Sequence, residues 1–160
     1  MSRFSNIPSL FDKIIPDHPI VFISYSWDNE DHKKWVKKLA DDLRKIYHVN
    51  VLLDQYIRPG FDSLEFMREG ITKSHRVLLI GTPLYKQKCD DYNSGGCKYE
   101  YQIISAEIYR NSQTAKFIPI LRSGTATTSF SSLIQTRIGF TMINDYKVRE
   151  FRSSKFLWLR

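Results

Sequence analysis

Short unbroken apolar runs alternate along this chain with longer stretches in which apolar residues recur every three or four positions. Ile20-Val21-Phe22-Ile23-Ser24-Tyr25 is continuous and rich in β-branched residues, the pattern of a strand buried on both faces. Polar residues follow abruptly, and Asp28 or Asn29 can cap a helix whose first turn carries acids. Trp35, Val36, Leu39, Ala40, Leu43 and Ile46 then mark one face, with Lys33, Lys34, Lys37, Lys38, Asp41 and Asp42 on the other, which predicts an amphipathic helix. Residues 49–54 read as a second strand, Arg58-Pro59-Gly60 as a turn, and Asp62 or Ser63 as the cap of a helix carrying Leu64, Phe66, Met67 and Ile71. Residues 76–81 form a third strand, 86–98 a long polar stretch, and 99–109 a helical rhythm through Tyr99, Ile103, Ile104, Ala106 and Ile108. A fourth strand spans 116–121, and its Pro119 suggests an edge position or the strand's upper end. Residues 123–132 read as a polar loop, 137–143 as a short fifth strand, and Asp145 onward as a last helix. Strict alternation of strand and helix predicts a parallel sheet with helices on both faces.

At 160 residues the chain suits one domain with a sizeable core. Residues 1–19, interrupted by Pro8, Pro16 and Pro19, read as an N-terminal extension to a domain at 20–160. That extension lacks a signal-peptide core, and no stretch has the roughly 20 apolar residues of a membrane span. The apolar, uncapped end Leu157-Trp158-Leu159-Arg160 suggests a domain cut from a longer protein. Cys89 and Cys97 are too few for a disulfide scaffold, and the four histidines show no zinc spacing. The expectation is a cytoplasmic protein with reduced thiols and no metal. The net charge of +7 permits nucleic-acid binding. The basic residues are nevertheless spread over helix faces without a dense cluster, so a solvated surface is the better reading.

Ligands of open parallel sheets bind beyond the carboxyl ends of the strands, which here are residues 24–28, 54–61, 81–85 and 121–123. GxGxxG after the first strand, GxxxxGK[ST] and GxSxG are all missing, which argues against a dinucleotide fingerprint, P-loop chemistry and a hydrolase elbow. Gly95-Gly96 reads as a loop before a helix. Two carboxylates remain: Glu100 at the start of that helix, and Glu107 seven residues on. They lie two turns apart on nearly one face, directed together toward the sheet or toward solvent. A first-turn glutamate commonly complements the helix dipole. Trp27 suits stacking on a ring or simple packing.

Val21-Phe22-Ile23-Ser24-Tyr25-Ser26 followed by Asp28 resembles the first strand and opening loop of Toll/interleukin receptor (TIR) domains, and Ser24-Tyr25-Ser26-Trp27-Asp28 is closest to their SEFIR-like bacterial branch. Four more segments resemble the family in order. They are Val51-Leu52-Leu53-Asp54-Gln55-Tyr56 with Arg58-Pro59-Gly60 (second strand and BB loop), residues 71–82 with Ser74 (third strand segment), Gly95-Gly96-Cys97-Lys98-Tyr99-Glu100 (helix opening) and Phe117-Ile118-Pro119-Ile120 (fourth strand).

The resemblance implies a flavodoxin-like sheet of five parallel strands. It also implies one of two activities: cleavage of NAD+ at the nicotinamide–ribose bond, or scaffolding through TIR–TIR contacts without catalysis. The family's enzymes use one glutamate on the third helix. By resemblance that role falls to Glu100, although no Trp precedes it in the common family spacing, and Glu107 is the alternative. Tyr25, Ser26, Trp27 and Tyr99 would border the NAD+ site, with Asp54, Arg58, Gly60 and Phe61 near it. NAD+ is then a substrate, and no cofactor is implied. In the family the site is completed when domains stack head to tail, and a fused or separate sensor governs assembly. The expectation is an NAD+ glycohydrolase serving as a bacterial immune effector; the alternative is a non-enzymatic adaptor.

Overall fold

The strands β1 (Ile20–Ser24), β2 (Asn50–Leu52), β3 (Arg76–Gly81), β4 (Phe117–Leu121) and β5 (Phe140–Thr141) form one sheet in the order β2-β1-β3-β4-β5. All four pairings are parallel. The computed structural model describes residues 13–91, 93, 95–144, 146, 149 and 151. The expectations for residues 1–12, and most of the helix expected after Asp145, lie outside them.

Helices cover both faces, as the alternation of elements predicts. Successive β1 side chains point to opposite faces. Val21 and Ile23 therefore join one buried layer, with Val36, Leu39 and Leu43 of α1 (Glu30–Tyr47) and with Phe151. Phe22 joins the other, with Phe66 and Ile71 of α2 (Ser63–Lys73) and Ile104 and Ile108 of α4 (Gly95–Arg110). Asn29 starts α1 by accepting from His32 N at 2.8 Å, and Asp62 starts α2 by accepting from Glu65 N at 2.9 Å.

Several expectations need correction. The stretch 86–98 is largely helical: α3 (Pro83–Asp90) begins where the Thr82 side chain accepts from Tyr85 N at 3.1 Å with Pro83 at its first position. Gly95 and Gly96 lie inside α4, not in a loop before it. Glu100 consequently sits in the second turn, so dipole complementation does not account for it. The loop expected at 123–132 holds the short helix α5 (Ala126–Ser129), and a second short helix, α6 (Ser132–Gln135), starts at its last residue.

Pro119 is mid-strand in β4, between two neighbours. Lys116 O accepts from Val77 N, and Arg122 N donates to Gly81 O, so even-numbered residues bond to β3. The proline nitrogen thus faces β5, whose register with β4 starts only at Ile120 opposite Phe140, one residue past Pro119. No ladder bond is lost.

Ahead of β1, residues 13–19 are tied to the sheet through Asn50. Its side chain accepts from Ile15 N at 2.9 Å and donates to Ile15 O at 3.0 Å and His18 O at 3.1 Å.

Candidate functional site

The strand order reverses direction between β1 and β3, and the candidate residues converge over the carboxyl ends of these strands. Ser24 ends β1, fully buried and in register with Leu79. Its hydroxyl donates to Glu100 Oε2 and lies 2.9 Å from the Tyr85 hydroxyl. Helix α4 brings Glu100 to this point with only 8% of its surface exposed. Burial is the main reason its carboxyl is pushed up to about 8; the Asp54 charge raises it further, and the Ser24 hydrogen bond pulls it down.

Next to this buried carboxyl is a more open cluster. Asp54, in the 3-10 turn Asp54–Tyr56 after β2, accepts from the Tyr25 hydroxyl at 2.8 Å and the Trp27 indole at 2.9 Å. Gln55 Nε2 donates to the Tyr25 hydroxyl at 2.9 Å and to Lys33 O at 3.0 Å. Burial and Asp54 together raise the Tyr25 phenol well above its ordinary range, so it remains a donor. Trp27 is 59% exposed, with Lys33 Nζ 4.4 Å from its ring centre. One face of the indole is thus occupied by a cation, while its N–H is held by Asp54.

The other sequence candidates fall into three places. Ser26 is buried at the β1–β3 boundary, donating to Asp28 and lying 3.3 Å from the Thr82 hydroxyl. Arg58 and Gly60 are exposed and Phe61 half-buried in the loop that follows the 3-10 turn. Phe61 N donates to Arg58 O there, and Gly60 takes the left-handed φ of 91°. Tyr99 is half-buried beside Glu100. Glu107 is not part of the cluster: its carboxylate pairs with Lys116 Nζ at 2.8 Å. That ammonium also donates to Thr72 O, at the amino-terminal edge of the sheet.

Ser24 and Tyr85 are functional candidates that the sequence places at strand ends, within 24–28 and 81–85, without assigning either a role. Ser24 closes β1, and Tyr85 is carried by α3, a helix the sequence did not suggest. Cys97 is a third, its thiol 3.9 Å from Tyr25 O and pushed up to about 12, chiefly by burial and then by Glu100.

A small cavity is lined by Tyr85 together with Leu79, Cys89, Ile104, Phe130 and Ile134 among others, and Glu100 is not part of its wall. The Glu100 carboxyl itself is covered, as its 8% exposure shows. Among the described residues no group of three or more His, Cys, Asp or Glu gathers as a metal site would, and no helix is long and apolar enough to cross a membrane.

The arrangement is similar to known proteins. The TIR domain family matches residues 21–152. A prokaryotic SEFIR domain crystal structure shares 34% identity, covering 88% of this chain and 99% of that one, with a TM-score of 0.65. The TIR domain of the Toll-related receptor TRR-2 from Hydra magnipapillata has 15% identity over 83% of this chain and 88% of its own, with a TM-score of 0.55. The TIR domains of the activated Roq1 resistosome, which directly recognises the pathogen effector XopQ, have 14% identity over 86% and 72%, with a TM-score of 0.51. These last two support the fold alone. No curated protein sequence gives a significant match. With the family match spanning most of the chain and the SEFIR structure covered almost end to end, the chain belongs to the TIR domain family, in its prokaryotic SEFIR-like branch.

Proposed function

We propose that this TIR domain is an NAD+ glycohydrolase, with Glu100 as its catalytic carboxylate, serving as an antiphage or immune effector that self-assembly switches on. The observation that carries this reading is the position of Glu100. It is a buried carboxyl at the strand-order reversal, hydrogen-bonded by Ser24 and next to the Tyr25–Asp54–Trp27 cluster.

The chemistry asks little beyond such a group. When the nicotinamide–ribose bond breaks, nicotinamide leaves as a neutral base with the bonding electron pair, so no general acid is required. Positive charge develops on the ribose, an oxocarbenium-like state. A fixed carboxylate beneath the ring stabilises that charge as it appears, most effectively where water is excluded. Water then adds to the ribose carbon, and its proton passes to Glu100 and on to solvent. The products are ADP-ribose, nicotinamide and a proton. The free face of Trp27 offers a stacking surface for a ring of the substrate. Both oxygens of Asp54 are engaged by Tyr25 and Trp27, so Asp54 acts by holding that surface in place. Glu107, neutralised by Lys116 at the opposite edge, has no part.

A covered Glu100 fits a resting state. Assembly that shifts the loop at Arg58, Gly60 and Phe61 would open the approach and seat substrate between neighbours. The same cover also favours a second reading, a non-enzymatic adaptor working through TIR–TIR contacts, and the 34% identity to a SEFIR domain points the same way. One experiment separates the two. The protein is incubated with NAD+ at high concentration and in a crowding agent, and released nicotinamide is quantified. Release that disappears in Glu100→Gln supports the enzyme. No release from assembled protein selects the adaptor.

A further inference from the structure

We propose that Ser24 and Tyr85 are positioning residues that form a two-hydroxyl relay, Tyr85 to Ser24 to Glu100, holding the Glu100 carboxylate aimed at the substrate ribose. This rests on the reading of Glu100 as the catalytic group. The Ser24 hydroxyl has one proton. When Glu100 is ionised that proton goes to Glu100 Oε2, so the Ser24 oxygen must accept from its other neighbour, the Tyr85 hydroxyl at 2.9 Å. Tyr85 suits a permanent donor: it is almost wholly buried, and burial raises its phenol far above the ordinary range.

Each member is fixed by a separate element. Ser24 lies in a paired strand. Tyr85 is the third residue of α3, whose start is pinned by Thr82 and Pro83. Glu100 projects from the second turn of α4. A carboxylate held this way loses little freedom when charge develops opposite it, and successive hydroxyls polarise one another toward the anion.

The groups facing Glu100 from every side decide what the relay does. Asp54 approaches from the turn after β2 and works against ionisation. Cys97 from α4 and Cys89 and Tyr85 from α3 are electrostatically coupled to it, and burial holds all three in their protonated forms. Ser24 is the neighbour that favours the anion. The relay is thus the local counterweight to burial and to Asp54.

Tyr85→Phe and Ser24→Ala test this by rate–pH profiles of nicotinamide release, with the Glu100 carboxyl also titrated by carbon-13 NMR and assigned by its loss in Glu100→Gln. Ser24→Ala is expected to move the acid limb and the NMR titration up by about 1 pH unit. It should also lower kcat at least about tenfold, with KM little changed. Tyr85→Phe moves both in the same direction by less. Folded variants that release nicotinamide with both titrations unmoved would overturn the relay alone. If Ser24→Ala does not fold, the near-isosteric Tyr85→Phe decides by the same two readings. Wild-type protein that assembles yet releases no nicotinamide would overturn the enzymatic reading and the relay with it.

Discussion

Glu100 is a carboxyl that the folded domain holds in its protonated form at pH values where an unfolded chain has lost the proton. Its value lies near 8 in the fold against an ordinary 4.5. Between those limits the folded state binds the extra proton, so stability falls as pH rises through the window. Glu100→Gln keeps an oxygen for Ser24 and removes the titration. The variant is therefore expected to match wild type near about pH 4 and to exceed it by about 3–5 kcal/mol near about pH 9. Urea midpoints at the two pH values measure this. A difference that stays constant across the window would mean that the carboxyl is already ionised in the resting domain. Such a gain in stability on removing the proposed catalytic group is what a site built for charge development predicts, because its carboxyl would be kept ready at the expense of the fold.

Among the elements, β5 is the most exposed to a single substitution, and Gly139 is where it acts. A Cβ at this position would stand 1.9 Å from Pro119 O, which is backbone and cannot move aside as a side chain would. Gly139→Ala should cost about 2–3 kcal/mol, read as a fall in urea midpoint. Gly60→Ala, whose new methyl meets nothing but whose φ is 91°, should cost about 1 kcal/mol; equal costs for the two would deny the close approach at β5. Sequence reading found these strands because burial on both faces leaves unbroken apolar runs: β3 begins and ends where its run does, and β1 stops one residue short of its run's end at Tyr25. It overextended β2 to Asp54 because the apolar run continues through Leu53, past Leu52 where the strand ends. It missed α3 because only Tyr85 and Cys89 of eight residues are buried. It misplaced the start of α4 because Gly-Gly signals a loop, whereas both glycines lie in the helix's first turn. The candidate site was legible to the same extent. Strand ends pointed to Tyr25, Trp27, Asp54 and Tyr85 alike, but the role of Tyr85 stayed hidden with the helix that carries it.

For the whole molecule, the covered Glu100 and the exposed tip at Arg58 and Gly60 belong to one question, since the loop that leads away from Asp54 is also the part of the site most open to a neighbour. If copies of the domain open one another's sites, activity per molecule must rise with protein concentration, because the competent state is populated only in the assembly. Arg58 is exposed, and a surface substitution there is expected to leave the urea midpoint within about 0.5 kcal/mol of wild type. Arg58→Ala should nevertheless flatten the concentration dependence and lower nicotinamide release at high concentration about tenfold or more, while sedimentation shows fewer large species. Glu100→Gln should do the reverse, abolishing release while assembling as well as wild type. Mixing the two variants tests where the loop acts. A neighbour's loop that opens the site predicts partial recovery, because Glu100→Gln molecules supply intact loops to Arg58→Ala molecules that keep intact carboxyls. If each loop serves only its own site, mixtures stay as inactive as the separate variants, and assembly is confined to bringing whole, self-sufficient domains together.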